Sequence, residues 1–398
     1  TETFSLREAG ELERLGAEVR IFHLTKFRNG EVVHEFSKPL VQSSLGRPYL
    51  FGQGVFSELV KFTAMHPIRF TKILTGLVSS YWRRPKLLAK SLVILPKSLK
   101  FAKDIQEWGA DHIHATFAGH PGTAAWIIHQ AGGPEYSLTC HAHDIFRTQL
   151  MLDRKFQNAQ FVRTISDYNA RFLRDKVGAE ACENLQVIHC GLPETPKRSR
   201  AQRNGRFTIL FVGSLQLRKG AQCLLSALAE MVDDTNWICK IAGDGPMADD
   251  LKGQATQLGL SDRVQFLGAL AAEDVADQYD RADVLVVPSI DGPGGRKEGI
   301  PTVIMEGLSA SLPVIASRQT GIPELVKDGE TGWLIEPGNV HQLSDKLVEV
   351  MRDPQTADQR AENGRELVHR EFNLATNVKR LLDLIRDTST QHGGKHQA

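Results

Sequence analysis

Six short apolar runs punctuate the second half of the chain, at 207–213, 237–242, 264–267, 284–288, 314–316 and 332–335. Helix-like stretches lie between them, one starting at Gly220 and another at Met247. Continuous runs of Val, Ile, Leu and Phe, unbroken by polar alternation, read as strands buried on both faces. Strand, helix and strand in succession form β-α-β units, and such units build parallel sheets. The first half repeats the pattern more loosely, with strand-like runs at 17–24, 111–117, 136–140, 160–166 and 185–189. The fold class is therefore α/β, with two parallel sheets.

Size and charge narrow this further. A chain of 398 residues accommodates two domains of about 100–200 residues each. No apolar run of about 18 residues occurs and no secretory signal is visible, so no membrane-spanning helix is expected. Cys140, Cys182, Cys190, Cys223 and Cys239 are dispersed with no C-x-x-C pair, which points to reduced thiols in the cytoplasm. Cys140 reads as a small buried hydrophobe. The net charge of +1 hides an asymmetry. Lys61, Arg69, Lys72, Arg83, Arg84, Lys86, Lys90, Lys97, Lys100 and Lys103 fall within 59–103, a stretch without Asp or Glu. The remainder carries a charge of about −9. Phe62, Ile68, Phe70, Tyr81 and Trp82 are interleaved with these cations. That mixture suits either an anionic membrane surface or a solvated face over an ordinary core. No nucleic-acid reader motif accompanies it.

Along the chain, the first residues, 1–15, form a helical pattern with Phe4, Leu6, Ala9, Leu12 and Leu15 near one face, and Gly16 ends it. Residues 25–56 are loop-rich, and the helical patterns of 57–104 are expected to break at Pro67, Pro85 and Pro96. The polar, Arg-rich segment 193–205 is the best linker. The final residues, 389–398, are polar and expected to be disordered.

Chemistry concentrates in Glu298-Gly-Ile-Pro-Thr-Val-Ile-Met-Glu306, where seven residues separate two carboxylates. The first glutamate sits in a Gly/Pro loop after the 284–288 strand and the second inside a helix. The amides of Gly299, Ile300 and Thr302 at that helix start would face an anionic or hydroxyl-rich ligand. A second strand–loop–helix, from Gly213 through Arg218 and Lys219 to Gly220, pairs cations with backbone donors, as a diphosphate requires. Gly243-Asp-Gly245-Pro makes a turn after another strand, without the G-x-G-x-x-G pattern of a dehydrogenase. His141-Ala-His143-Asp144 sits at a strand's C-terminal end, where open α/β sheets bind ligands. His-x-His-Asp also has metal-ligand chemistry, but no second cluster has matching spacing. His112, His114 and His120 read as structural or rim residues.

The Glu298–Glu306 segment resembles the E-x7-E motif of retaining GT-B glycosyltransferases of family 4. The likeness continues through 307–317 and 321–326, covers nearly the whole chain and is strongest over 207–335. It implies a GT-B fold, two Rossmann-like, doubly wound parallel-sheet domains facing a cleft. The expected partition is 1–195, 196–372, a helix over 373–388 returning to the first domain, and the 389–398 tail. In such members a strand precedes the first helix, so the chain is expected to lack its first strand. Glu298 would meet the donor sugar and Glu306 the ribose hydroxyls. Gly213, Arg218, Gly243, Gly245, Gly299, Ile300, Pro301 and Thr302 would complete the donor site. Lys219 matches the lysine that grips the donor phosphates. Ser214 stands where many members carry an arginine, and Arg218 is the nearest substitute. His141 matches a histidine that faces the donor, and Asp144 would orient His141 or an acceptor hydroxyl. The catalytic set is thus His141, Lys219 and Glu298, with no metal and no cofactor. Two carboxylates on one loop–helix unit cannot flank a bond as in a glycosidase. The family instead retains configuration by front-face attack through an oxocarbenium-like state.

The resemblance is greatest to members that build exopolysaccharide, as in colanic acid synthesis. It implies a nucleotide-diphosphate sugar donor and a glycan or polyprenyl-diphosphate-linked acceptor. A cytoplasmic protein, peripheral on the inner membrane face, would follow. A sugar-nucleotide epimerase of the same fold would turn over donor alone, and a non-catalytic nucleotide-sugar-binding protein would bind without turnover.

Overall fold

The computed structural model describes residues 3–25, 38–194, 205–231, 236–292 and 297–393. It divides into two compact units: Thr1–Gly191 with Leu374–Ala398, and Leu192–Asn373. The expected linker at 193–205 lies mostly outside the described residues.

In unit 1, β1 (Phe22–His23) pairs parallel with β2 (Leu45–Gly46). A separate parallel sheet contains β3 (His112–Ala115), β4 (Glu135–Cys140), β5 (Val162–Thr164) and β6 (Leu185–Val187), in that spatial order. The strand expected over 17–24 shrinks to two residues, because its partner β2 is only two residues long. The first helix, Thr3–Arg14, is followed by Gly16 in a left-handed conformation with φ 87°. Pro67 and Pro85 open the helices Pro67–Tyr81 and Pro85–Trp108, where a missing N–H costs nothing.

Pro96 does not break its helix as the sequence suggests; it lies inside Pro85–Trp108. An interior proline costs about 3 kcal/mol. Ile94, Leu95, Leu99 and Phe101 on the same helix are buried, and each contributes about 1.5–3 kcal/mol. Packing therefore wins. Residues 389–393 continue the last helix, Leu374–Gly393, instead of starting a disordered tail, and 394–398 lie outside the described residues. Extending a formed helix is cheap per residue, and no glycine or proline intervenes before Gly393. This helix belongs to unit 1 and packs on Thr3–Arg14.

Unit 2 is one six-stranded parallel sheet of β7 (Phe207–Val212), β8 (Trp237–Ala242), β9 (Val264–Gly268), β10 (Val284–Val287), β11 (Val314–Ser317) and β12 (Trp333–Ile335). Its spatial order is β12-β11-β10-β7-β8-β9. Ile209, Phe211, Val284 and Val286 enter one apolar core, and Leu210, Leu285 and Val287 enter another. Alternate residues thus feed opposite faces, both covered by helices, which is why these strands read as unbroken apolar runs. The buried Asp283 carboxylate accepts the Thr208 N–H at 2.7 Å and ties the start of β10 to β7.

Candidate active site

The strand order of unit 2 reverses between β7 and β10. At such a reversal the exit loops diverge, leaving a crevice beyond the strand C-termini where ligands bind. Loop 213–220 leaves β7 and loop 288–301 leaves β10, with 293–296 outside the described residues. The two loops are joined. The Ile290 N–H donates to the Arg218 carbonyl at 2.9 Å. Gly220, at φ 76°, passes so close to the Pro288 carbonyl that a Cβ there would collide with it.

This joining brings three candidate residues together. Lys219 Nζ lies 2.6 Å from Glu298 Oε2, and Arg218 Nη1 contacts the other oxygen of the same carboxylate. The Glu298 side chain is only 7% exposed, so these charges are held rather than freely solvated. Burial, reinforced by the Arg218 charge, lowers the Lys219 ammonium to about 8. The second cation on this carboxylate is Arg218, with Ser214 further back on the same loop. Sequence reading placed both cations here but missed what positions the glutamate. Thr320 Oγ1 donates to the carbonyls of Glu298, at 2.7 Å, and Gly299, at 3.3 Å. Thr320 has φ 46°, a region that costs a β-branched residue roughly 1–3 kcal/mol. Its unusual backbone could not be read from its identity.

Gly299, Ile300 and Pro301 lead into the helix Thr302–Ser309, which no side chain caps. The Ile304 N–H donates to the Pro301 carbonyl at 3.1 Å, and the positive dipole end of the helix meets the loop that carries Glu298. Glu306 lies further along that helix, and its Oε2 accepts from the Tyr279 hydroxyl at 2.9 Å. Burial, and then the Glu306 charge, push the Tyr279 phenol well above its usual range, so it stays a donor. Tyr279 was also missed; it comes from Ala272–Arg281, a helix without any recognisable motif.

The glycine turn after β8 joins the same group. The Gly213 N–H donates to the Ala242 carbonyl at 3.0 Å and the Leu215 N–H to the Asp244 carbonyl at 2.9 Å. Gly243 abuts the Gly213 carbonyl, and a Cβ on Gly245 would meet the Leu215 carbonyl at 2.6 Å. Both glycines therefore permit close backbone approach between the β7 and β8 exit loops.

His141 and Asp144 belong to unit 1. The His141 ring is buried against Phe4 and Phe117, with centroids 4.8 and 4.9 Å away. Burial, and then the charges of Arg163 and His143, lower it to about 3, so it is neutral at physiological pH. The Asp144 carboxylate accepts from the His141 N–H at 2.8 Å and the Ala118 N–H at 2.5 Å, and the His141 side chain in turn faces the Asp144 N–H in a capping box. Burial raises the carboxylate to about 7. His112 and His114 bond to Ser137 and Thr139 on the neighbouring strand and are structural. Among the described residues, no group of three His, Cys, Asp or Glu side chains is placed to hold a metal ion.

The basic stretch divides in two. Lys97 is buried and donates to the Leu24 carbonyl at 2.8 Å. Lys100 pairs with Asp104, and Lys103 lies 3.7 Å from Glu58. Arg83, Arg84, Lys86 and Lys90 instead line a cavity of unit 1. Among the described residues, no helix is long and apolar enough to cross a membrane.

Comparison with known proteins agrees with this geometry. Solved structures with the same architecture include a glycosyltransferase from Rickettsia africae, with TM-score 0.72 and 17% identity over 97% of this chain and 94% of that one. Anabaena HepE in complex with UDP and glucose gives TM-score 0.66 and 18% identity over 97% and 95%. The fold is thus that of the GT-B glycosyltransferases, with two Rossmann-like domains. Residues 194–367 match the family model described as Glycosyl transferases group 1. This segment, within unit 2, therefore carries a Glycosyl transferases group 1 domain. A Salmonella typhimurium relative, the colanic acid biosynthesis glycosyltransferase WcaL, is 31% identical over 180 residues. That alignment spans 45% of this chain and 44% of the relative, less than half of either.

Proposed function

We propose that this chain is a retaining glycosyltransferase that moves a sugar from a nucleotide-diphosphate donor to a glycan or polyprenyl-diphosphate-linked acceptor in bacterial surface polysaccharide synthesis. The observation that carries the reading is the Lys219–Glu298–Arg218 cluster at the strand-order reversal of unit 2. It joins cations suited to a diphosphate and a carboxylate suited to sugar hydroxyls. The Anabaena structure with UDP and glucose supports a nucleotide-sugar donor, and the Salmonella relative's name supports the polysaccharide setting.

Chemically, the sugar–phosphate bond breaks with positive charge on the ring and negative charge on the leaving diphosphate. Lys219 and Arg218 stabilise that leaving charge, and the dipole at the start of Thr302–Ser309 adds to them. When the diphosphate takes over the two cations, Glu298 is released toward the sugar hydroxyls and the cationic ring. Glu306, held by Tyr279, accepts from the ribose. His141 contributes as a neutral hydrogen-bonding group. Ile68, Val78 and Trp82 are exposed along or just beyond Pro67–Tyr81, near Arg69, Lys72 and Arg83 in sequence. This supports a face that rests on an anionic membrane.

Binding and turnover across UDP-, GDP- and ADP-sugars, with Glu298→Gln alongside, test the proposal. Selective binding of one donor, with slow hydrolysis lost in the variant and an anomer-retaining product by NMR, supports it. Binding without turnover under any condition contradicts it, and donor-only isomerisation shifts it to an epimerase.

A further inference from the structure

We propose that unit 1 carries an anion-binding site of its own, for a phosphate- or diphosphate-bearing ligand. Its place is a cavity of about 1440 Å³ between the helices Pro67–Tyr81, Pro85–Trp108, His120–Gln130 and Leu152–Asn158. That volume exceeds the roughly 300–1,000 Å³ of ordinary small-molecule sites, leaving room for more than a phosphate alone. Arg83, Arg84, Lys86, Lys90, Arg147 and Arg154 line it.

The charge on this wall is not balanced locally. Asp144 and Asp153 are the carboxylates on the lining. Asp144 already accepts two backbone N–H groups, and Asp153 is exposed. Among the described residues, Arg84, Lys86, Lys90 and Arg147 have no carboxylate partner, whereas Lys176, also on the lining, pairs with Asp175 at 2.8 Å. Like charges gathered on one concave wall repel, and an anion relieves that repulsion. Burial, and then the charges of Lys155 and Lys90, lower His120; burial, and then the Arg147 charge, lower His143.

The wall is also fixed in place. The buried Lys155 Nζ donates to the carbonyls of Ala118, at 2.7 Å, and Gly119, at 3.0 Å, holding the cavity edge from beneath. The helices His120–Gln130 and Pro85–Trp108 both begin on the lining, with proline in the first turn and no side-chain cap. Their dipoles add to the side-chain charge. Leu87, Leu150 and Phe117 give the cavity an apolar part, which suits a phosphate joined to a larger organic group. The acceptor class proposed above carries such a group, and only that assignment rests on the transfer reading. The anion site itself does not.

The test is pyrophosphate binding by calorimetry in a Lys219→Ala background, which weakens the unit 2 site, with Lys90→Gln and Arg147→Gln added singly. Both positions are exposed and neither caps a helix, so circular dichroism should be unchanged. The expected result is residual pyrophosphate binding that each variant weakens about tenfold or more, the worth of a charge-assisted hydrogen bond. Binding that disappears with Lys219→Ala alone, or that ignores both variants, overturns the proposal. Flotation with vesicles, with and without phosphatidylglycerol, separates the sources. Parallel loss of vesicle and pyrophosphate binding supports a lipid phosphate headgroup, and loss of pyrophosphate binding alone supports a soluble phosphate ester. Loss of vesicle binding alone overturns the cavity in favour of a membrane-facing surface. Nucleotide binding measured with Lys219 intact reports on the transferase reading separately.

Discussion

The two units hold their cations in opposite ways. In unit 2, Lys219 and Arg218 share one buried carboxylate, Glu298. In unit 1, the cations at Arg84, Lys86, Lys90 and Arg147 line an open cavity with no carboxylate partner among the described residues. A paired cluster is pre-shaped, and a ligand must displace one partner to enter. An unpaired wall is more hydrated and attracts anions over a longer range, more weakly and with more sensitivity to salt. The contrast suits a site that reacts and a site that only holds.

The sharpest way to break this contrast is Glu298→Gln. We expect turnover to fall by roughly 100-fold or more, since the proposed function places Glu298 at the reacting centre. Nucleoside-diphosphate binding should hold or tighten, because both cations are released. Parallel loss of binding and turnover, with an unchanged melting temperature, would show that Glu298 serves binding alone. Next in size, Lys219→Ala should weaken nucleoside-diphosphate binding about 10-fold or more by calorimetry, while cavity binding in unit 1 is untouched. The pH profile follows from the same lysine. With its pKa lowered to about 8, the ammonium is present below that pH and lost above it. Diphosphate affinity should therefore decline above pH 8, by at most about tenfold per pH unit, and Lys219→Ala should flatten the profile. The smallest effect belongs to Tyr279→Phe, which removes the hydroxyl donor to Glu306. One hydrogen bond of about 1 kcal/mol predicts an approximately fivefold rise in donor KM with little change in kcat.

Much of unit 2 was legible because its strands are buried on both faces and announce themselves as continuous apolar runs. Glu298, Lys219 and Glu306 could be singled out as candidates because loop and helix chemistry is local in sequence. What could not be read was contact across sequence. Thr320 and Tyr279 hold Glu298 and Glu306 from 22 and 27 residues away, from segments without a motif. In unit 1 the ten cations of 59–103 looked alike as letters. Folding buries Lys97, pairs Lys100 and Lys103, and sends Arg83, Arg84, Lys86 and Lys90 to one cavity. Pro96 misled because local propensity was outweighed by buried neighbours on its own helix.

The central claim is that Glu298 alternates between the two cations and the donor sugar. Its most direct test compares UDP and a UDP-sugar, or the corresponding pair of whichever base binds, on the wild type and Glu298→Gln. The account predicts that the variant binds the nucleotide at least as tightly as wild type, yet loses the extra affinity given by the sugar and loses turnover. Equal loss of affinity for nucleotide and nucleotide sugar, or full turnover in the variant, would contradict it.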